Sequence, residues 1–313
     1  MSIYPAKEDI RITEPYLEIR GGIPLRGEVR LPGAKNAALP AIVAACLSSE
    51  DVVLRNVPTE LNDVQLLIRM LRDAGADIRA SGTTLRCNGS GFRGGALSAQ
   101  LAGKIRHSLL LLGLAANWRA PLFLPLPGGC AIGSRKHDMH VEALRRMGFS
   151  LAESELGLHL AEGGPAQTAE IEFHYPTFGG TLNVLFAAVR SEATVVLRGA
   201  ARNPEVIDVI RLLEAMGARI EWRDERTLAI RGAARLSGAE HTVMSDRIVA
   251  ATVIAAVGVT KGDAVIGGAD ASLLEAEIAA WRRAGLGIEA LEGGIRARWE
   301  CPLRAVDVTT AAY

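Results

Sequence analysis

The chain has 313 residues, 49% of them apolar, and its 35 basic and 35 acidic side chains balance to a formal charge of zero. A neutral chain has no global field to draw it to nucleic acid or to an anionic membrane surface, and aromatics at 4% leave little material for base-stacking platforms. The length suits two domains, each with a core of its own.

Cys46, Cys87, Cys130 and Cys301 lie far apart and form no CxxC pair. Neither a disulfide framework nor a zinc site is suggested. Residues 1–16 are polar and include acidic side chains, which is not the pattern of a signal peptide. The longest apolar runs, such as residues 248–259, are too short to span a bilayer. These features predict a reduced, cytoplasmic protein with neither nucleic-acid nor membrane partners.

Taken in order, the chain reads as a repeat. Each unit has an amphipathic helix, a glycine and then a two-stranded hairpin. The helices are predicted over residues 63–74, 137–147, 204–216 and 272–284, followed by Gly75, Gly148, Gly217 and Gly285. The hairpins follow at 77–79 with 84–87, 150–152 with 156–160, 219–222 with 227–230, and 287–290 with 294–298. The glycines recur about 70 residues apart and suit helix C-caps, as expected of a duplicated α/β unit. Each unit also has an earlier, almost wholly apolar helix, beginning after Lys35, Lys104, Thr177 and Asp246. Such helices are predicted to be buried on all sides. Their polar or basic starts are candidate anion sites, since a helix N-terminus presents free N–H groups. A fifth unit is predicted to begin near Leu303.

The chemistry concentrates in two stretches. Gly33-Ala34-Lys35-Asn36 places a lysine at a helix start, without the GxxxxGK[ST] pattern of a P-loop. Residues 126–140 set Cys130 between glycines, with Arg135, Lys136, His137, Asp138 and His140 close behind. A thiol on a glycine-rich loop can reach a substrate and have its acidity tuned by nearby cations. Arg106 and Arg135 offer the fork geometry that grips phosphate or carboxylate.

GAKNAALP, PGGCAIGSR followed by Asp138 and His140, AARNPEV, and the DRI of residues 246–248 resemble the enolpyruvyl transferases. The resemblance runs from about residue 17 to the end. It implies an α/β fold of repeated βαβαββ units in two domains, an inside-out α/β barrel. The first domain would be residues 33–243 with three units, the second 17–32 plus 244–313 with one full unit and the start of another. It implies transfer of the enolpyruvyl group of phosphoenolpyruvate to the 3-hydroxyl of UDP-N-acetylglucosamine, with phosphate released, as the first committed step of peptidoglycan precursor synthesis. Cys130 matches the family's general acid, with Lys35 and Arg135 as catalytic cations. Asn36, Arg106, Lys136, His137, Asp138, Met139, Thr177 and Phe178 match substrate-holding positions. No metal or organic cofactor is implied.

Three departures bear on the acceptor. Lys136 replaces a proline, His137 replaces a hydrophobic residue, and Tyr175 stands where a lysine is common. A different nucleotide acceptor is therefore an alternative. The family's catalytic Asp and a further substrate-binding Arg fall beyond Tyr313. The second domain is thus expected to be incomplete, to expose apolar faces and to self-associate. A protein that binds a nucleotide sugar without turnover is the second alternative. A thiol hydrolase pairing Cys130 with a histidine is a third, disfavoured by the repeat architecture.

Overall fold

The computed structural model describes residues 10–13, 16–19, 21–128, 136–164, 166–191 and 194–310. The contacts of the described residues divide into a larger unit, within 35–244, and a smaller one that joins those before 35 with 245–310.

At the start, β1 (Ile10–Thr13) and β2 (Tyr16–Ile19) pair with each other as an antiparallel hairpin. This hairpin is a sheet of its own, and the smaller unit's main sheet takes its edge strand from β3 (Arg26–Arg30).

The larger unit holds three repeats. The first runs through α1 (Lys35–Ala45), β4 (Val52–Arg55), α2 (Asn62–Asp73), β5 (Asp77–Ser81) and β6 (Thr84–Asn88). The second begins with β7 (Gly95–Ala96), α3 (Ala99–Ala102) and a 3-10 turn, Arg106–Leu110, that runs into α4 (Leu111–Trp118). It continues with β8 (Leu122–Pro125), α5 (Asp138–Arg146), β9 (Leu151–Ser154) and β10 (Gly157–Leu160). The third comprises β11 (Ala169–Glu172), α6 (Phe178–Ala188), β12 (Thr194–Arg198), α7 (Pro204–Ala215), β13 (Arg219–Trp222) and β14 (Thr227–Arg231). A last strand, β15 (Glu240–Thr242), ends the unit.

Each repeat builds a four-stranded mixed sheet, ordered β15-β4-β6-β5, β7-β8-β10-β9 and β11-β12-β14-β13. The first strand in each order pairs in parallel with the second, and the other pairings are antiparallel. β7 and β11 each supply the parallel edge of their own repeat's sheet, whereas the first repeat takes that edge from β15. β15 returns across the whole unit to β4, with Glu240 opposite Val53. The three sheets are thereby closed into a ring.

Hydrophobic pattern decides which helices fill the middle. α2 buries one stripe, Val64, Leu67, Ile68, Met70 and Leu71, at helical spacing. α1, α4 and α6 are apolar almost throughout and buried almost throughout. α4 lies along α6 closely enough that a Cβ on Gly113 would stand 2.7 Å from Asn183 Oδ1. Removing the side chain at 113 is what permits that approach.

In the smaller unit, α8 (Arg247–Val259), β16 (Asp263–Gly267), α9 (Glu275–Ala284), β17 (Leu286–Leu291) and β18 (Gly294–Trp299) form one repeat. Its sheet is ordered β17-β18-β16-β3. Ala250, Ile254 and Val257 of α8 pack with Ile266, Leu286 and Ile295. The expectation that all four apolar helices are buried on every side fails for α8. Ile248 is 50% and Val259 72% exposed, because one sheet covers only one side of a helix. Residues 302–310, expected to open a further repeat, form neither strand nor helix.

Candidate active site

Lys35 opens α1, and Asn36 follows it. Both are half-buried. The Lys35 ammonium lies 3.1 Å from Asp63 Oδ2, in the first turn of α2. Pro40 sits inside α1 and has no N–H to give to the Asn36 carbonyl four residues back. The helix start is thus held by a side-chain ion pair, with one fewer backbone bond behind it.

A second group gathers where the 3-10 turn, α5 and α6 begin. Arg106 Nη2 donates to the Lys136 carbonyl at 2.7 Å. His107 meets Phe178 edge to face, with ring centroids 6.3 Å apart. Thr177 caps α6, its hydroxyl accepting from Gly180 N at 3.5 Å. Asp138 Oδ1 accepts from Met139 N at 3.0 Å. His137 Nε2 lies 3.3 Å from Glu153 Oε2, and Arg145 reaches Glu153 Oε1 at 3.4 Å.

The structure therefore brings Arg106, Lys136, His137, Asp138, Thr177 and Phe178 onto three adjoining segment starts. Lys35 pairs with Asp63 rather than with a member of this group. Met139 belongs to the core at 6% exposure, so its backbone rather than its side chain is available to a ligand. Cys130 and Arg135 lie outside the described residues.

The electrostatics favour an anion. Arg106 and Lys136 are cationic, and α6 has no acidic side chain in its first turn. No carboxylate of its own first turn therefore offsets the partial positive charge of its N-terminus. Among the described residues no cluster of His, Cys, Asp and Glu could hold a metal ion. None of their helices is long and apolar enough to cross a membrane.

At the heart of this group is a pair of which the sequence motifs show one member, His140, and not the other, Asn183. His140 is buried, and its Nδ1 lies 2.7 Å from Asn183 Nδ2. Burial, aided by the positive charge of Arg106, pushes its pKa down to about 3. Asn183 and Thr181 are the two polar side chains in the otherwise apolar α6. A buried amide must be hydrogen-bonded, and that was the available signal.

The pattern of the family described as EPSP synthase (3-phosphoshikimate 1-carboxyvinyltransferase) matches residues 19–313. A UDP-N-acetylglucosamine 1-carboxyvinyltransferase from Oleidesulfovibrio alaskensis is 38% identical over 297 residues, 95% of this chain and 71% of the relative. One from Acinetobacter baylyi is 39% identical over 257 residues, 82% of this chain and 61% of the relative. Among solved structures, the enolpyruvyl transferase NikO from Streptomyces tendae superposes with a TM-score of 0.78 at 23% identity, covering 91% of this chain and 68% of that one. An EPSP synthase from Acinetobacter baumannii gives 0.71 at 16% identity, covering 89% and 65%. A ring of three repeats in the larger unit, a family pattern over almost the whole chain and relatives of this identity lead to one conclusion: the chain belongs to the EPSP synthase family of enolpyruvyl transferases.

Proposed function

We propose that the chain transfers the enolpyruvyl group of phosphoenolpyruvate to the 3-hydroxyl of UDP-N-acetylglucosamine. The identity to 1-carboxyvinyltransferases named for that acceptor carries the reading. The grouping of Arg106, Lys136, His137 and Phe178 around a helix start with no carboxylate in its own first turn supports it. A nucleotide diphosphate is a dianion with a flat base, and this group offers cations and aromatic edges.

In the addition step, the sugar hydroxyl oxygen bonds to C2 of phosphoenolpyruvate and gives up its proton to a base, while the C2=C3 electron pair takes a proton at C3. In the elimination step, the C2–O bond to phosphate breaks and C3 gives up a proton, restoring the double bond. Cys130 is the proposed acid, a thiol being able to hold and release a proton near neutral pH. Lys35 and Arg135 would balance charge on the phosphate and carboxylate as it develops. Asp63 deepens the role of Lys35, because it holds the ammonium in place until an anion competes for it. Asn36, Asp138, Thr177 and the Met139 backbone are the proposed neutral and polar contacts. This activity would stand at the first committed step of peptidoglycan precursor synthesis.

Phosphate release from phosphoenolpyruvate, followed with and without UDP-N-acetylglucosamine on this chain and on Cys130→Ala, tests the reading. Sugar-dependent release that disappears in the variant is the expected result. Release with shikimate 3-phosphate in place of the nucleotide sugar would overturn the acceptor. Calorimetric binding of UDP-N-acetylglucosamine without any release would reduce the chain to a nucleotide-sugar binder.

A further inference from the structure

We propose that His140 and Asn183 form a positioning pair that locks the starts of α5, α6 and the Arg106 turn together, and so sets the grip on the nucleotide sugar. The proposal rests on the acceptor reading above. Its basis is a hydrogen-bond arrangement with one solution. Asn183 Oδ1 accepts from Gly113 N at 2.9 Å, and Nδ2 donates to the Leu109 carbonyl at 2.9 Å. Two backbone groups of opposite sense thus fix which end of the amide is oxygen. The remaining Nδ2 hydrogen faces His140 Nδ1 at 2.7 Å, so that ring nitrogen must accept. The ring proton then sits on Nε2, and a second proton on Nδ1 would set donor against donor.

The ring is also held sterically. A Cβ on Gly179, in the first turn of α6, would stand 2.7 Å from Cε1 and 3.1 Å from Nε2 of His140. Glycine at 179 lets the imidazole lie flat against the helix start. The pair reaches all three of the segment starts that gather around Arg106, Asp138 and Thr177. Leu109 shares a 3-10 turn with Arg106. His140 lies in the same first turn of α5 as Asp138. Asn183 lies on the helix that Thr177 caps. A depressed imidazole pKa agrees with a ring kept neutral as an acceptor.

The test uses the full chain, calorimetric affinity for UDP-N-acetylglucosamine, and the melting temperature of each variant. His140→Leu removes the acceptor at similar bulk. His140→Asn places an amide oxygen near the Nδ1 position and preserves it. A buried polar group left unpaired typically weakens the state that depends on it by about tenfold or more. His140→Leu and Asn183→Leu are therefore expected to raise the dissociation constant at least about tenfold, with His140→Asn within about threefold of the parent. Leu variants that melt early yet bind as tightly as the parent would overturn the proposal, leaving the pair purely structural. So would a His140→Asn variant that binds as weakly as His140→Leu. A parent chain that does not bind UDP-N-acetylglucosamine would instead bring down the acceptor reading, and this proposal with it.

Discussion

A single buried histidine gives the larger unit a pH dependence of known sign. Folding holds the His140 pKa near about 3, against about 6.5 for a free imidazole. The unfolded chain takes up a proton that the folded chain refuses. The stabilisation is therefore complete above pH 6.5 and is lost as the pH falls from there toward 3. Within that window the slope is about 1.4 kcal/mol per pH unit, or about 2 kcal/mol by pH 5. Urea unfolding of the parent and of His140→Asn at pH 7 and pH 5 isolates the effect, because other groups titrate alike in both proteins. The parent is expected to lose about 2 kcal/mol more than the variant over that interval. Equal losses would show that the imidazole is not held neutral. The same residue shows what a sequence withholds. His140 is visible as part of a motif, but its partner Asn183, and the Leu109 and Gly113 groups that fix Asn183, are tens of residues away. Only packing brings them together.

At the scale of elements, the helix–glycine–hairpin repeat was legible because it rests on local chemistry. Gly75, Gly148, Gly217 and Gly285 all adopt positive φ, at 101°, 89°, 102° and 110°. Each follows a helix whose last turn it terminates. What differs is the surroundings. A Cβ on Gly75 would run into the Gly91 carbonyl oxygen, whereas one on Gly217 meets nothing within 4 Å. Gly217→Ala should cost only the backbone strain of about 1–2 kcal/mol. Gly75→Ala adds displacement of a neighbouring backbone, and should cost clearly more. Chemical denaturation of the two variants checks this, and equal destabilisation would mean that strain alone matters at both sites. Elements that depend on a distant partner were not legible. β7 has two residues and β15 three, and neither has a hydrophobic pattern. Each exists because a neighbouring sheet offers an edge. The exposure of α8 was missed for the same reason in reverse: its composition is that of α1 and α6, but its cover depends on how many sheets surround it.

At the scale of the molecule, the larger unit depends on β15 returning to β4, and one contact there differs from the rest. His241 Nε2 on β15 lies 3.1 Å from Asp208 Oδ2 on α7, with side-chain exposures of 12% and 7%. Among the described residues neither atom makes a well-directed hydrogen bond, so proximity alone joins the two. The adjoining contacts are of two kinds. Ser48 Oγ donates to the Leu236 carbonyl and Asn56 Nδ2 to the Val243 carbonyl, both at 2.9 Å. Arg55 pairs with Glu240 at 3.0 Å, but both side chains are more than half exposed, at 53% and 65%. An exposed pair is screened by water and contributes little. A carboxylate out of water and deprived of its partner is costly, at about 3 kcal/mol or more. His241→Ala is therefore expected to destabilise the unit clearly more than Arg55→Ala, which leaves it nearly unchanged. Replacing Asp208 as well should recover part of the loss, because the stranded carboxylate disappears with it. Hydrogen exchange locates the damage. In His241→Ala the Val53 amide, bonded to the Ala239 carbonyl at 2.8 Å, should lose protection before the amides of β12 and β14. If those amides open together in the parent and in the variant, the ring closes as one cooperative body, and β15 is an ordinary edge strand rather than its clasp.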